Sequence, residues 1–295
     1  MSKGVRLKEY VKKYFLVVLI LVFSFVYAEI AKTPPSDSAE IYFLDVGQGD
    51  AELIQKGDFQ ILIDGGPSDA VLSELGKVMP LSDRKIDIII LTHPHADHLA
   101  GINLILERYG VGVIYSSGVL NTTNGYLEFL NKIKKKNVSF KVPKAYDKII
   151  PFANSELDFL WPGDKYLKQN LSNLNNSSLV TKFCFFSHCA LFTGDIEIDE
   201  QASMFEYYTQ KNLISLFEAE LLKIPHHGSR NGTNEKLLKT VVPKYAVIEV
   251  GADNKYSHPH TETVSILKKL TIQTLRTDQG GTIKFELTKT GIAKN

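Results

Sequence analysis

The chain has 295 residues, of which 44% are hydrophobic and 23% are charged, and its formal net charge is +1. This composition excludes a disordered or fibrous protein and fits one large or two small globular domains. It also excludes a protein that holds nucleic acid mainly by bulk charge, because such proteins carry a marked basic excess.

The first 28 residues differ from the rest of the chain. Five basic residues and a single Glu9 precede the apolar run "YFLVVLILVFSFVYA", which ends at Ala28. The run is short for a membrane span, which needs about 20 apolar residues, and it ends like a cleavage site. It predicts a signal peptide, with an uncleaved membrane anchor as the alternative. We expect an extracytoplasmic protein, secreted or membrane-anchored, whose remaining residues carry 29 basic and 32 acidic side chains.

Residues 29–39 contain the Pro- and Ser-rich stretch "AKTPPSDS", which predicts a linker before a folded domain at residues 40–295. Three β-rich runs, "AEIYFLDVG", "AELIQKG" and "FQILIDGG", are separated by Gly and Asp turns and predict an antiparallel meander. A helix is expected over residues 68–77, with Ser68 as its N-cap. The continuous apolar run "KIDIIIL" predicts a strand that is buried on both faces.

Further along, helices and strands alternate. Helices are predicted over residues 99–109, 124–136, 198–208, 234–240 and 261–270. Strands are predicted at residues 113–115, in "ELDFLWP", "SLVTKFCFF", "CALFTGD", "AELLKIP" and "YAVIEVG", around Leu275, and in "TIKFELT". The basic run "NKIKKK" falls at a helix end, where cations interact favourably with the dipole; a substrate-facing patch is the alternative.

The two cysteines, Cys184 and Cys189, lie on either side of a predicted hairpin turn near Ser187. Outside the cytoplasm such a pair can oxidise to a disulfide. Two buried thiols in paired strands are the other reading, and the sequence leaves both open.

Three of the eight histidines lie within "LTHPHADHLAG", where a predicted strand ends at Thr92. Residues two apart in extended chain point the same way, so His93 and His95 can bind one ion together. Asp97 and His98 begin the next turn and can reach a second ion. Imidazole and carboxylate are the ligands of zinc, manganese and iron.

Four more histidines follow other strands: His226 and His227 in "KIPHHGS", and His258 and His260 in "YSHPH". Asp64 and Asp195 also end strands, in "FQILID" and "ALFTGD". Strand ends followed by glycine loops are where helix-covered sheets gather ligands. Only His188, at a predicted hairpin tip, lies outside a strand end that is followed by a loop of this kind.

These motifs carry a resemblance to a known family. "HPHADH", with "DGG" before it and "TGD" and "HHGS" after it, resembles the metallo-β-lactamase fold superfamily. Together with "FLDVGQGDA", "NNSSLV" and "YSHPH", it is similar to the hydrolase domain of ComEC-type DNA-uptake proteins, over about residues 40–290. The resemblance implies an α/β (α+β) fold, a four-layer αββα sandwich with metals at one edge of two sheets.

The resemblance also implies a site for two divalent metal ions, zinc or manganese, held by His93, His95, Asp97, His98, Asp195 and His226. The first ion would bind His93 and His95, the second Asp97 and His98, and Asp195 would bridge them. His227 is the less favoured choice for the late ligand. Many members have another histidine where this chain has "NNSSLV", so Asn176 or water would complete the first site.

Two adjacent ions lower the pKa of a shared water and stabilise the attacking and leaving oxygens, which suits hydrolysis. Asp97, His227 and His258 are the predicted catalytic residues; either histidine can protonate a leaving alkoxide or donate to a phosphoryl oxygen. For His258, a loop histidine bonded to the backbone is the alternative. Asp64 and Asp50 either orient ligand imidazoles or cap turns.

The expected function is that of a metal-dependent phosphodiesterase or nuclease acting on DNA in competence-related uptake. The partner would be DNA or another phosphodiester, and the membrane through the N-terminal segment. Arg230, next to "HHGS", is a phosphate clamp or a solvated side chain. The alternatives are an envelope phosphodiesterase, a β-lactamase or lactonase, and a non-enzymatic metal-binding adaptor.

Overall fold

The computed structural model describes residues 3–30 and 37–295. Its first element is a helix, α1 (Lys3–Ile30), which exposes apolar side chains from Tyr14 to Tyr27. Within the two described ranges, no helix is both long and apolar enough to cross a membrane. Of the predicted linker, residues 31–36 lie outside the described residues. The role of residues 1–28 as a signal or an anchor stays a prediction.

The remaining elements follow the order of the chain. The first half of the domain comprises β1 (Ala39–Phe43), β2 (Glu52–Lys56), β3 (Phe59–Ile63), α2 (Ala70–Val78), β4 (Lys85–Leu91), α3 (Ala96–Arg108), β5 (Gly110–Ser116), α4 (Asn124–Lys136) and β6 (Ser139–Lys141). The second half comprises β7 (Lys148–Ile149), β8 (Ser155–Trp161), β9 (Val180–Phe185), β10 (His188–Phe192), α5 (Ile198–Gln210), β11 (Leu221–Lys223), α6 (Glu235–Val241), β12 (Tyr245–Ile248), α7 (Thr261–Lys269), β13 (Gln273–Arg276), α8 (Thr277–Gly280), β14 (Ile283–Leu287) and β15 (Ile292–Lys294).

Among the described residues, these strands form two sheets. The first has the order β15-β14-β1-β2-β3-β4-β5-β6, and the second β13-β12-β11-β10-β9-β8-β7. The predicted meander is confirmed, since β1, β2 and β3 pair antiparallel. The last two strands return to the first sheet, where β14 pairs with β1.

Three layers of apolar side chains join two sheets and two groups of helices into the predicted αββα sandwich. One core lies between the sheets and contains Phe43, Ile90 and Phe183. A second lies between the first sheet and α2, α3 and α4, and a third between the second sheet and α5, α6 and α7. Strand β4 serves two of them: Ile88 and Ile90 face the other sheet, whereas Ile89 and Leu91 face the helices. The continuous apolar run therefore marks a strand buried on both faces, as predicted.

Some boundaries differ from the sequence-based expectation. Helix α2 begins at Ala70 after Asp69, and the Ser68 hydroxyl only accepts a hydrogen bond from the Ala70 amide, at 3.3 Å. Helix α3 begins three residues earlier than predicted, at Ala96, so Asp97 lies in its first turn. An acidic side chain is favoured there by the helix dipole. The short edge strands β6, β7 and β15 were not predicted, because two or three residues give no periodicity.

Candidate metal centre

The predicted site residues follow the carboxyl ends of neighbouring strands. Asp64 follows β3, and the segment from His93 to His98 follows β4, which pairs parallel with β3. Asp195 follows β10, and His227 follows β11, which pairs parallel with β10. The two sheets therefore deliver these side chains to one edge of the sandwich, as expected for parallel strands.

Four of these side chains form a compact cluster: Asp97, His98, Asp195 and His227. One ligand atom from each lies within 4.8 Å of the others. The Asp195 Oδ2 atom lies 3.3 Å from Nε2 of His98 and 3.5 Å from Nε2 of His227. Asp97 Oδ2 lies 3.4 Å from Nε2 of His227. Two imidazoles and two carboxylates thus face one point.

His93 and His95 lie beside this cluster. The Nε2 atom of His93 and the Nδ1 atom of His95 are 2.9 Å apart, and the rings of His93 and His98 are 4.2 Å apart between centroids. His93 is fully buried, and its Nδ1 atom lies 3.1 Å from the Thr92 hydroxyl. Two more imidazole nitrogens are therefore available next to the four-residue cluster.

A buried carboxylate lies behind each imidazole of the cluster. Asp64 Oδ2 is 2.7 Å from Nδ1 of His98 and also accepts a hydrogen bond from the Thr92 hydroxyl. Asp50 Oδ1 is 3.2 Å from Nδ1 of His227. Because each Nδ1 atom faces an acceptor, each Nε2 atom is left to face the cluster. Asp64 has the contact expected of an orienting residue, whereas Asp50 shares Nδ1 of His227 with the Glu249 carbonyl oxygen at 3.0 Å.

Charges within the cluster depend on one another. Burial alone lowers the pKa of His227, but the carboxylates of Asp195 and Asp50 outweigh it and raise that pKa to about 10. In the same way, carboxylates outweigh burial and raise the pKa of His98 well above its usual value. The pKa of Asp195 lies well below its usual value despite burial, because His227 and His98 stabilise the charge. The shifts of the imidazoles and of Asp195 thus have one cause, the mutual attraction of these groups.

The donor set fits divalent metal ions. The buried Nε2 atoms of His98 and His227 have no hydrogen-bond partner within the described residues. Buried polar atoms are normally satisfied, so such unpaired atoms need an explanation. Imidazole and carboxylate donors that meet at one point are those that zinc or manganese takes.

The late histidine differs from the expectation. The sequence favoured His226, but the four-residue cluster contains His227. His226 lies at the edge, with Nε2 3.9 Å from Asp195 Oδ2 and Nδ1 3.5 Å from Glu197. Both histidines have left-handed backbone conformations, with φ of 52° and 53°. These turn the chain sharply after β11, which no alternation rule anticipates.

The asparagine near the first pair of histidines also differs. Asn176, expected to complete that site, accepts a hydrogen bond from the Glu197 amide at 3.4 Å. Its neighbour Asn175 lines the cavity at the cluster, with Nδ2 3.5 Å from Nδ1 of His226. A 3-10 turn at Leu174–Ser177 sets which of the two amides faces the cavity.

The cluster opens into a cavity of about 320 Å³. His258 lines it, half-buried, and burial together with the nearby His227 and His226 lowers the pKa of His258 to about 4. Tyr256 also lines it, half-exposed, with its ring stacked on His258 at 5.7 Å. Neither Tyr256 nor Asn175 was singled out in the sequence, although Tyr256 stands inside "YSHPH".

Other predicted residues lie away from the cavity. Arg230 is exposed and pairs with Glu262 at 3.2 Å. His260 accepts a hydrogen bond from the Arg230 amide at 3.0 Å, and His188 lies 2.9 Å from Glu220.

The family model of the metallo-beta-lactamase superfamily matches residues 44–251. The chain belongs to this superfamily. Among solved structures, the metallo-beta-lactamase fold protein YhfI from Bacillus subtilis superposes with a TM-score of 0.55 at 17% identity, covering 85% of this chain and 100% of that one. The predicted fold is confirmed, and the described residues of this superfamily member hold a candidate metal site.

Two curated relatives bear names linked to competence. ComE operon protein 3 of Bacillus subtilis is 28% identical over 271 residues, which cover 85% of this chain and 33% of the relative. Competence protein ComA of Neisseria gonorrhoeae is 26% identical over 261 residues, covering 88% and 34%. The resemblance to ComEC-type proteins is confirmed, and the chain spans about a third of the length of these relatives.

Proposed function

We propose that the protein is an exported, metal-dependent phosphodiesterase that cuts DNA during uptake. The observation that carries this proposal is the cluster of Asp97, His98, Asp195 and His227, whose buried imidazole nitrogens face one point with no hydrogen-bond partner among the described residues. When bound there, divalent ions supply Lewis-acid activation of water and stabilise negative charge on phosphoryl oxygens.

The two proposed ion sites are unequal. The four-residue cluster offers two imidazoles and two carboxylates, enough protein ligands for one ion. His93 and His95 offer two imidazoles, and Asn175 stands nearby in place of a third. We therefore propose tight binding of one zinc or manganese ion at the cluster and weaker binding of a second at His93 and His95.

The chain's own residues would position the substrate. At neutral pH, His258 is an uncharged imidazole, because its pKa is about 4. In that state one ring nitrogen carries a hydrogen and can donate to a non-bridging phosphoryl oxygen. Asp97, half-buried at the start of α3, keeps its carboxylate charged next to His227.

Two features beside the cluster favour a nucleotide substrate. The half-exposed ring of Tyr256 stands at the mouth, with Lys255 Nζ 5.2 Å from its centre. An aromatic ring with an adjacent cation is a typical contact for single-stranded nucleic acid. A second cavity of about 560 Å³ adjoins at His95 and has apolar walls that include Leu99 and Leu104.

Export is supported by the cysteine pair as well as by the N-terminal segment. Cys184 and Cys189 face each other across β9 and β10 and form a disulfide. Disulfides persist mainly outside the cytoplasm.

Purified protein with manganese or zinc should cleave both single-stranded DNA and methyl p-nitrophenyl phosphate, a phosphodiester without a nucleobase. The Asp195→Asn variant should lose both activities, whereas Asp158→Asn, which alters a buried aspartate of β8, should keep them. Cleavage of the ester with intact DNA would exclude the nuclease and favour an envelope or small phosphodiester. If the Asp195→Asn variant keeps both activities, the proposed metal centre is wrong.

A further inference from the structure

A fully buried lysine lies directly behind the cluster. Lys223, the last residue of β11, is 0% exposed and forms an ion pair with Asp50. Its Nζ atom also donates to the Gly194 carbonyl at 3.1 Å and lies 3.7 Å from Oδ1 of Asp195. We propose that Lys223 is a positioning residue that orients Asp195 and, through Asp50, His227. This inference rests on the proposed metal centre.

The first argument is that the two oxygens of Asp195 face different partners. Its Oδ1 atom faces Lys223, and its Oδ2 atom faces Nε2 of His98 and of His227. A carboxylate that is free to rotate about its last bond would not keep one oxygen at the cluster. The cation behind it favours the orientation in which Oδ2 points to the ligand position.

The second argument is the chain of contacts through Asp50. Its Oδ2 atom pairs with Lys223, and its Oδ1 atom lies 3.2 Å from Nδ1 of His227. Nδ1 of His227 also lies 3.0 Å from the Glu249 carbonyl oxygen. Lys223 therefore holds one of the two acceptors that face this ring. Asp64 fixes His98 with the help of the Thr92 amide and hydroxyl instead.

The third argument is the cost of the arrangement. A buried ammonium loses its hydration, which costs several kcal/mol unless partners compensate. An apolar residue such as methionine would fill the same strand position without that cost. Lys223 offsets this cost by its attraction to four buried carboxylates, those of Asp50, Asp195, Glu52 and Glu249. Two of them, Asp50 and Asp195, belong to or contact the cluster, which is where an orienting cation has an effect.

The test compares cobalt binding by the metal-free full chain and by the Lys223→Met variant. Visible absorption of bound Co²⁺ reports both affinity and ligand geometry. We expect the dissociation constant to rise by about 10- to 100-fold, the range for residues that orient metal ligands, and the absorption spectrum to change. The matched control is Lys182→Met, since Lys182 is a buried lysine of the same sheet paired with Asp158 across β8 and β9. The control should keep both the affinity and the spectrum of the unaltered protein.

Two further variants keep the test decisive if Lys223→Met folds poorly. Lys223→Gln retains a donor for the Gly194 carbonyl, and Asp50→Asn combined with Lys223→Met removes both charges, a change that proteins often tolerate. Both should fold and still bind cobalt more weakly than the unaltered protein.

The outcomes separate this role from others. Unchanged cobalt affinity and spectrum in the folded variants would make Lys223 a structural ion pair and overturn the proposal. Tighter binding would also overturn it, because Lys223 would then act only by repelling the ion. If the unaltered protein takes up no cobalt, the metal centre itself is wrong, whereas cobalt binding without phosphodiesterase activity would leave this role intact.

Discussion

At the scale of single residues, the candidate centre depends on the carboxylates that back its imidazoles. In the Asp64→Asn variant, the amide nitrogen of asparagine would replace the carboxylate oxygen that faces Nδ1 of His98. The imidazole would then favour the tautomer with hydrogen on Nε2, which cannot bind an ion. We expect zinc affinity, measured by calorimetry on metal-free protein, to fall by about 10- to 100-fold.

The matched control is Asp87→Asn, since Asp87 also accepts a hydrogen bond from a backbone amide, that of Gln60, but lies outside the cluster. Equal losses of zinc affinity in both variants would show that Asp64 acts on the fold and not on His98.

Tyr256 gives a prediction about the substrate. Removing its ring in Tyr256→Ala should raise KM for single-stranded DNA by about 5- to 150-fold, because stacking of a base on an aromatic ring contributes about 1–3 kcal/mol. Tyr256→Phe should retain the DNA affinity. Methyl p-nitrophenyl phosphate carries one nitrophenyl ring and no polynucleotide strand, so its KM should change less than that of DNA in both variants.

Phe186 is the control for general aromatic contacts, since it is partly exposed at the turn between β9 and β10. A Phe186→Ala variant that weakened DNA binding as strongly as Tyr256→Ala would argue against a specific platform at the cavity.

Sequence reasoning identified most of the residues at the centre but not their exact partners. Histidines and aspartates at strand ends could be predicted to meet, because parallel strands end at one edge. Which of His226 and His227 faces the cluster could not, because both residues lie in a left-handed turn. Lys223 went unnoticed, although a lysine inside the apolar run "ELLKIP" was a usable signal.

At the scale of elements, the sequence predicted the helices and longer strands because their periodicity is strong. Helix α4 and strand β4 have the predicted bounds. Helix α3 begins earlier than predicted, with His95 as the residue before its first turn. Turn geometry and edge strands depend on contacts distant in sequence, which a local pattern does not contain.

Helix α3 packs closely against the loop after β3, where Gly101 and Gly65 are in contact. A Cβ atom on Gly101 would lie 1.8 Å from the carbonyl oxygen of Gly65. The Gly65 amide donates to the His98 carbonyl at 2.8 Å, so this contact also places the start of α3.

Gly101→Ala should therefore lower the free energy of unfolding by at least about 1–3 kcal/mol, the usual cost of overpacking, as measured with urea. Gly125→Ala is the control, since a Cβ atom on Gly125 would have no atom of the described residues within 4 Å. A stable Gly101→Ala protein would show that α3 and the loop can separate at little cost.

At the scale of the whole molecule, the αββα architecture could be predicted from motif resemblance and element order. The state of the two cysteines could not, because hairpin pairing allows either a disulfide or two thiols. The disulfide closes a short loop, since Cys184 and Cys189 are five positions apart. Cys189 lies at the start of β10, whereas Asp195 lies beyond the other end of that strand.

Replacing both cysteines by alanine should lower the free energy of unfolding by about 2 kcal/mol, the value for so short a loop. Phosphodiesterase activity at 25 °C should not change. Reductant should destabilise the unaltered protein by a similar amount and leave the double variant unaffected; equal sensitivity of both would exclude a disulfide.

The ligand side chains belong to both sheets: His98 follows β4 of the first, and Asp195 and His227 follow β10 and β11 of the second. A cation held between them would cross-link the two halves of the sandwich through its bonds to these side chains. Binding energy would then add to conformational stability, and the melting temperature would climb with free ion concentration. Treatment with a chelator would make the native protein an easier target for proteases, even where no substrate is present.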